Sequence, residues 1–556
     1  MIVGNPPFLG GSRLWEELGR NYQQELWRIY KDRVPGFADL CCYWFEKARE
    51  LIERGKCHRA GLLATQGIRG GANREVLERI KNSGDIFFAE SDRPWILAGA
   101  AVNVSMIGFD DGTTTERVLN STKVLTINAN LTSHADITEA KVLAANLNLC
   151  FIGSKKAGEF EVPEEVARSW FKLPNPHGKP NSDVLRPWVN GDALIKARRS
   201  WWIVDAGSSL PHEVMAAYEK PYEWVVEKVK PERDKNNETR TRNNFWIHKR
   251  PGSDMREAIS LLPRCLAVVR HAKHLIFSWL NPSILPDDGI YVFANDTDWF
   301  LGVMQSAIHR VWALHQGTQL EDRPRYTPTT CFETFPFPFR DDLAEPPANV
   351  EAQLNAAKHY AHLTLHEEPA PYRAGSSRRE EAHSSAPGKS QSLVTSAATK
   401  EDHRAAIAAA AQELNVLRER WLNPPEWTVE KILEFPGDIN GPWARYIDPS
   451  SILNPPSSVG VVRYPRLEPR DADGAAKLKE RTLTKLYNER PTWLDLAHKK
   501  LDAAVAAAYG FPADLTDAQI LEKLLALNLT RAAEEAKAAK VKKPKTTREK
   551  HADEMI

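Results

Sequence analysis

The sequence predicts an α/β fold, followed by a mixed α+β region and a helical remainder, and three observations carry that prediction. Helical and extended patterns alternate over the first 110 residues, as in the later part of an open sheet. From Leu119 to Pro338 short strands, turns and isolated helices replace them, with many tryptophans and basic residues. Ala-rich helical periodicity then dominates from Arg404 onward.

The elements follow in order. Met1-Ile2-Val3-Gly4 reads as the last residues of a buried strand entering the loop Asn5-Pro6-Pro7-Phe8, so the expectation is a chain that starts mid-domain. Ala38 to Gly55 carries Leu40, Tyr43, Trp44, Ala48, Leu51 and Ile52 at three-and-four spacing, which predicts a helix packed on one face. Arg59–Thr65 predicts a strand, Arg74–Lys81 a short helix, Asp85–Ala89 a strand and Val102–Phe109 another, the last as one arm of an antiparallel pair closing the sheet edge. Glu367 to Lys400 collects Pro, Ser, Ala, Gly and Arg without periodicity, the composition of a disordered insertion. Helices are expected over Arg404–Trp421 and Thr492–Tyr509, the second stopped by Gly510 and Pro512. Lys537 to Lys550 carries seven basic side chains against one acidic, as in a solvated tail. The divisions expected are 1–118, 119–340, the insertion 367–400, the helical region 401–532 and the tail 533–556.

A chain of 556 residues exceeds what one core supports and predicts two to four domains. Its 74 basic and 73 acidic residues leave a formal charge of +1, so any nucleic-acid contact must come from a local patch. The cysteines at 41, 42, 57, 150, 265 and 331 form neither CxxC pairs nor a disulfide framework. A reducing cytoplasm and no structural zinc are the expectation. No run long enough to span a membrane and no signal peptide is present in the sequence, so no membrane partner is expected.

The loop Asn5-Pro6-Pro7-Phe8 suits one chemistry. The exocyclic amine of adenine is a weak nucleophile because its lone pair is conjugated into the ring. The side-chain oxygen of Asn5 and the main-chain oxygen of Pro6 offer two acceptors for the amine hydrogens, favouring a tetrahedral nitrogen whose lone pair faces a methyl donor. Consecutive prolines fix φ and remove local donors, and Phe8 offers a face for stacking on the base. A base inside a duplex cannot reach such a loop, so base flipping is implied. No metal or covalent nucleophile is required. The bland reading is a turn, since Asn-Pro and Pro-Pro are common loop punctuation; the Ile-Val lead-in, Gly4 and the α/β continuation favour the catalytic one.

Gly4-Asn5-Pro6-Pro7-Phe8, Ala38-Asp39-Leu40 and Ala60–Thr65, with the run Gly317–Thr327 ending in Thr334-Phe335-Pro336-Phe337-Pro338, resemble the amino-specific, S-adenosylmethionine-dependent DNA methyltransferases of type IIL and IIG restriction systems and of DISARM phage defence. Catalytic region before recognition region is the order of the gamma, adenine-N6 class. The resemblance implies the C-terminal part of a class I (Rossmann-like) methyltransferase sheet, an α+β target-recognition domain and a helical C-terminal region. It implies catalysis by Asn5, Pro6, Pro7 and Phe8, cofactor contacts from Pro7 and Asp39, S-adenosylmethionine as cofactor and double-stranded DNA as partner. This sequence departs from the family in one respect. The glycine-rich cofactor loop and the acidic residue that follows it are not found, and the expectation is a fragment, a product of a late start codon, or one half of a split enzyme, with a separate cofactor-binding or nuclease subunit as a candidate partner.

Between Arg186 and Arg250 basic and aromatic residues interleave, a pattern fitted to phosphate contacts and base stacking. Arg198, Arg199, Arg240, Arg242, Trp246, Lys249 and Arg250 are the candidate DNA-binding residues. Scattered acids, and the usual burial of tryptophan, support core packing instead. Arg270, His271, Lys273 and His274 form a further polar cluster, read as a phosphate-contacting or exposed helix face and not as a metal site. Cys41 and Cys42 are read as packing residues, and with no cysteine after a proline cytosine-C5 chemistry is disfavoured. Cytosine-N4 methylation stays open, as does a non-catalytic DNA-binding or specificity protein.

Overall fold

The computed structural model describes residues 1–97, 100–133, 137–196, 201–320, 323–339, 399–452, 458–512 and 514–542. The insertion expected over 367–400 lies outside these residues except at its end, where Thr399 caps the helix Lys400–Leu422 with a reciprocal bond to Asp402.

The first region is a six-stranded sheet in the order β1-β2-β4-β3-β5-β6. Its strands are β1 (Ile2–Gly4), β2 (Arg59–Thr65), β3 (Asp85–Leu97), β4 (Ala100–Asp110), β5 (Arg117–Leu119) and β6 (Thr122–Val124). β1 runs parallel to β2, with Gly4 opposite Leu62. β4 pairs antiparallel with both β2 and β3. The expected antiparallel pair is therefore present but not at the edge: β5 and β6 extend the sheet beyond β3. The physical reason lies in Val104–Phe109, which is buried on both faces except at Met106, as an interior strand must be. Gly108 serves this packing, since a Cβ there would come within 3.0 Å of the Phe87 ring.

The helices Leu40–Glu53 and Gly71–Ser83 pack beside one another over this sheet. Between them sits Glu46, 0% exposed, which accepts from Arg49 at 2.8 and 2.9 Å and from Arg79 at 3.2 Å. All the buried apolar residues of this core lie between Leu14 and Leu131.

The second region holds two four-stranded sheets. One orders as β13-β9-β10-β8, the other as β12-β11-β14-β7. Their strands are β7 (Cys150–Ile152), β8 (Glu161–Pro163), β9 (Leu185–Val189), β10 (Trp201–Val204), β11 (Cys265–Val269), β12 (Phe277–Leu280), β13 (Leu285–Pro286) and β14 (Ile290–Phe293). A hairpin of β15 (Thr318–Leu320) and β16 (Arg323–Arg325) follows.

The C-terminal region is not all helical, contrary to expectation. A three-stranded sheet, β17 (Thr428–Asp438), β18 (Ile447–Asp448) and β19 (Val459–Pro469), interrupts it, with β17 and β19 paired along eleven residues. Nor is it a separate unit. Phe435, Trp443, Ile447, Val462 and Tyr464 join the core around Trp202 and Phe171, with Phe171 stacked on Phe435 at 4.4 Å. Residues of the helices Lys400–Leu422, Thr492–Tyr509 and Asp517–Lys542 join a second core with β11, β12 and β14. The start of the expected tail is helical to Lys542; the rest lies outside the described residues. No helix of the described residues is long and apolar enough to cross a membrane.

Candidate functional site

β1 ends at Gly4, and the chain leaves the carboxyl end of the sheet as the loop Asn5–Gly10. Asn5 and Pro7 are exposed, Pro6 is buried and Phe8 is partly buried. A buried proline beside an exposed asparagine anchors the loop while leaving the amide group free to meet a ligand. The far end of the loop is tied down by three contacts. The Leu40 amide donates to the Leu9 carbonyl at 2.8 Å. The Gly11 amide donates to Asp39 Oδ1 at 3.0 Å. Gly11 itself lies so close to the chain that a Cβ there would sit 2.1 Å from the Phe37 carbonyl oxygen, which only glycine accommodates.

Asp39 is the hub of that clasp. Its backbone amide donates to Asn73 Oδ1 at 2.7 Å, and its Oδ2 accepts from Asn73 Nδ2 at 2.9 Å. Asn73 also donates to the Gly67 carbonyl at 3.4 Å, which brings the turn after β2 into the same assembly. Both Asp39 oxygens thus serve the protein's own architecture. Sequence reasoning missed Asn73; its one signal is a short polar side chain in the first turn of the helix Gly71–Ser83, where such groups bond to nearby backbone. Cys41 and Cys42 are buried behind the clasp. Hydrogen bonding to Cys41 and then burial push the Cys42 thiol well up, so it stays protonated and inert.

The described basic and aromatic residues of the second region differ in exposure and in partners. Arg198 and Arg199 lie outside the described residues. Arg240 is exposed on the helix Thr239–Asn243, and Arg242 on the same helix donates to the Asn236 carbonyl at 3.1 Å. Lys249 pairs with Glu238 at 2.6 Å, next to that helix. Arg250 pairs instead with Asp288 at 3.3 Å. Trp246 corrects the expectation: it is 8% exposed, its indole N–H donates to the Leu210 carbonyl at 2.8 Å, and it packs on His212 at 4.7 Å, so its face is not open to a base. Strand alternation explains the other tryptophans, because Trp202 on β10 points into the core at 1% exposure while its neighbour Trp201 is 50% exposed. Arg270–His274 is a second correction. It is no helix face but the turn leaving β11, where His271 bridges Arg325 and His274 meets Asn488 at 2.8 Å. The residues that organise the domain's charge, Asp205 and Arg256, were not read from sequence; they form a bidentate pair at 2.7 and 2.9 Å. Among the described residues no group of His, Cys, Asp or Glu could hold a metal.

Residues 1–121 match the family described as MmeI, DNA-methyltransferase domain, and residues 167–339 match MmeI, target recognition domain. The chain carries MmeI-type methyltransferase and target recognition domains. The solved structure of the type IIL restriction-modification enzyme MmeI in complex with DNA shares the fold at a TM-score of 0.62 and 18% identity, over 96% of this chain. This chain spans 57% of that MmeI chain. The type IIG restriction endonuclease BpuSI and the DrdV–DNA complex give TM-scores of 0.22 and 0.31 at 8% and 10% identity, too low to support an argument. They cover 64% and 93% of this chain and 48% and 57% of their own. No curated protein matches the chain. In the MmeI-type layout the Asn5–Phe8 loop falls in the methyltransferase domain and the Arg240–Arg250 segment in the recognition domain.

Proposed function

We propose that this protein is a site-specific DNA methyltransferase of a restriction-modification or phage-defence system, acting in the cytoplasm on N6 of a flipped adenine. The observation that carries the reading is the exposed Asn5 amide and adjoining Pro6 carbonyl, at the carboxyl end of a strand held in parallel register and within residues that match a methyltransferase domain. Asn5 Oδ1 and the Pro6 carbonyl accept the two hydrogens of the target amine, drawing its lone pair out of conjugation. Phe8 packs on the base, and the Asp39 clasp holds the loop in place. S-adenosylmethionine is the methyl source. Pro7 and Asp39 are the candidate contacts to that cofactor. Both Asp39 oxygens are engaged within the protein, and a separate cofactor-binding or nuclease subunit is a candidate partner. Arg240, Arg242, Lys249 and Arg250 are proposed to meet phosphates of the duplex, with Arg198 and Arg199 as further candidates.

The test is transfer of labelled methyl from S-adenosylmethionine to unmethylated duplex DNA. Label in N6-methyladenine is expected, with Asn5→Ala lowering transfer by on the order of 100-fold while DNA affinity changes little. Equal transfer by the variant would refute the role of Asn5, and label in N4-methylcytosine would replace adenine by cytosine. A chain that binds DNA yet neither binds the cofactor nor transfers methyl is the second reading, a DNA-binding specificity protein.

A further inference from the structure

A cavity of about 390 Å³ opens where three parts of the chain meet: the helix Ser253–Ile259 with the turn after it, the segment Pro282–Leu285, and the turn Gly441–Arg445 between β17 and β18. That volume falls in the range of small-ligand pockets, about 300–1,000 Å³. Its walls are largely apolar, with Ile259, Leu262 and Ile284 among them, and three guanidinium groups reach it: Arg186, Arg256 and Arg445.

Among the described residues Asp205 is the carboxylate paired with Arg186 and Arg256. Asp205 accepts from Arg256 through both oxygens and from the Gly207 amide at 3.1 Å, and it forms an ion pair with Arg186 Nε at 3.1 Å. Burial raises the Asp205 carboxyl, but Arg256 and Arg186 outweigh it and hold the group well below the usual carboxylate range. Arg445 has no carboxylate partner among the described residues; it donates to the carbonyls of Leu262, at 2.9 Å, and Ser260. The terminal nitrogens of Arg186 make no hydrogen bond among the described residues. Burial, with smaller contributions from Arg256 and Arg445, pulls Arg186 down to about 10 against the opposing attraction of Asp205.

A second observation is independent of the charges. Ser283, 4% exposed and part of the cavity wall, has a buried hydroxyl with no hydrogen-bond partner. A buried polar atom left unpaired costs free energy, and most such atoms in folded proteins have found a partner.

We propose that this cavity is a binding site for a small organic anion, a carboxylate or phosphate carried on a compact apolar body. The anionic head meets Arg186, Arg445 and the Ser283 hydroxyl, and the body lies against Ile259, Leu262 and Ile284. A bound anion would bridge the recognition sheets to the C-terminal sheet, because Arg186 belongs to β9 and Arg445 to the β17–β18 turn. The site owes nothing to the methyl-transfer loop and stands or falls apart from it.

The test titrates the full chain, by calorimetry, with 2-naphthoate, 2-naphthyl phosphate and the neutral 2-naphthalenemethanol. At least one anion is expected to bind, on the order of tenfold or more tighter than the neutral analogue, as hydrogen bonds to charged groups predict. Arg445→Met, which keeps an apolar stem, is expected to erase that tenfold preference and leave the neutral analogue unaffected. Ser283→Ala removes no protein hydrogen bond, so it keeps the fold and decides the matter if Arg445→Met does not; anion affinity should fall severalfold. Preference for naphthoate or for the naphthyl phosphate tells which head group the site takes. Binding of neither anion, equal binding of the neutral analogue, anion affinity unchanged in Ser283→Ala, or displacement of the anion by duplex DNA would each overturn the proposal, the last by assigning the arginines to the DNA surface.

Discussion

The two halves of the molecule are stabilised differently. The methyltransferase region draws its whole apolar core from Ile2 to Leu131, a contiguous stretch of chain. The recognition region completes its two cores with residues from 407 to 525, so strands near residue 200 pack on Phe435, Trp443 and Val462, more than 200 positions away. Contacts of low sequence separation form early and at small entropic cost, whereas those of the second half must close long loops first. The contrast teaches that the C-terminal region shares its hydrophobic cores with the recognition region and is not a separately packed unit.

That difference can be broken most severely by deleting residues 399–542. The recognition region is expected to lose its cooperative unfolding transition, because both its cores lose walls, while hydrogen exchange of amides in 1–131 stays protected; retained cooperativity in the recognition region would show the cores independent of the C-terminal part. Smaller and opposite in location is Glu46→Gln. It leaves Arg49 and Arg79 without their buried counter-charge and should cost about 3 kcal/mol of the methyltransferase transition alone, measured by urea unfolding. A pH experiment sharpens the same comparison. Inside the recognition core His309 Nδ1–H donates to the Met304 carbonyl and Nε2 of the neutral ring accepts from the Tyr326 hydroxyl, and burial lowers the imidazole to about 4. Its folded value is below the unfolded one of about 6.5, so its contribution is present above pH 6.5 and lost as pH falls towards 4. His309→Gln should therefore reduce the acid sensitivity of the recognition transition by up to about 1.4 kcal/mol per pH unit in that window, with the other transition unmoved. The mildest perturbation is Thr399→Ala, which removes the capping box and should cost about 1 kcal/mol, again in the recognition transition only.

Elements that carry their own period were legible, in the first region and among the C-terminal helices alike. Arg59–Thr65 matches the expected strand residue for residue, and Thr492–Tyr509 ends at Gly510, whose φ of +65° is the left-handed stop expected of glycine. What was not legible was pairing. That β4 lies inside the sheet depends on β5 and β6, three-residue strands too short to leave a pattern. β17–β19 escaped notice between Ala-rich helices because the strands carry Glu, Lys and Arg on their open face and their apolar partners Trp202 and Phe171 lie far back in the sequence. At the candidate site, Asn5–Phe8 could be read as a local motif, and it lies at the end of β1. The Asp39–Gly11–Asn73 clasp could not, since it joins three segments through single side-chain contacts. Trp246 was misplaced for the complementary reason: basic neighbours in sequence, His212 and Phe245 in space.

The Gly11 amide is bonded to a side chain and not to a ladder or helix, so its exchange with solvent requires only that the Asp39 clasp open. That single proton is a gauge of loop tension. Its exchange rate reports how often the Asn5–Phe8 segment is released from its anchor, in the absence of DNA or methyl donor, and any ligand that tightens the loop will be seen there first as a slower clock.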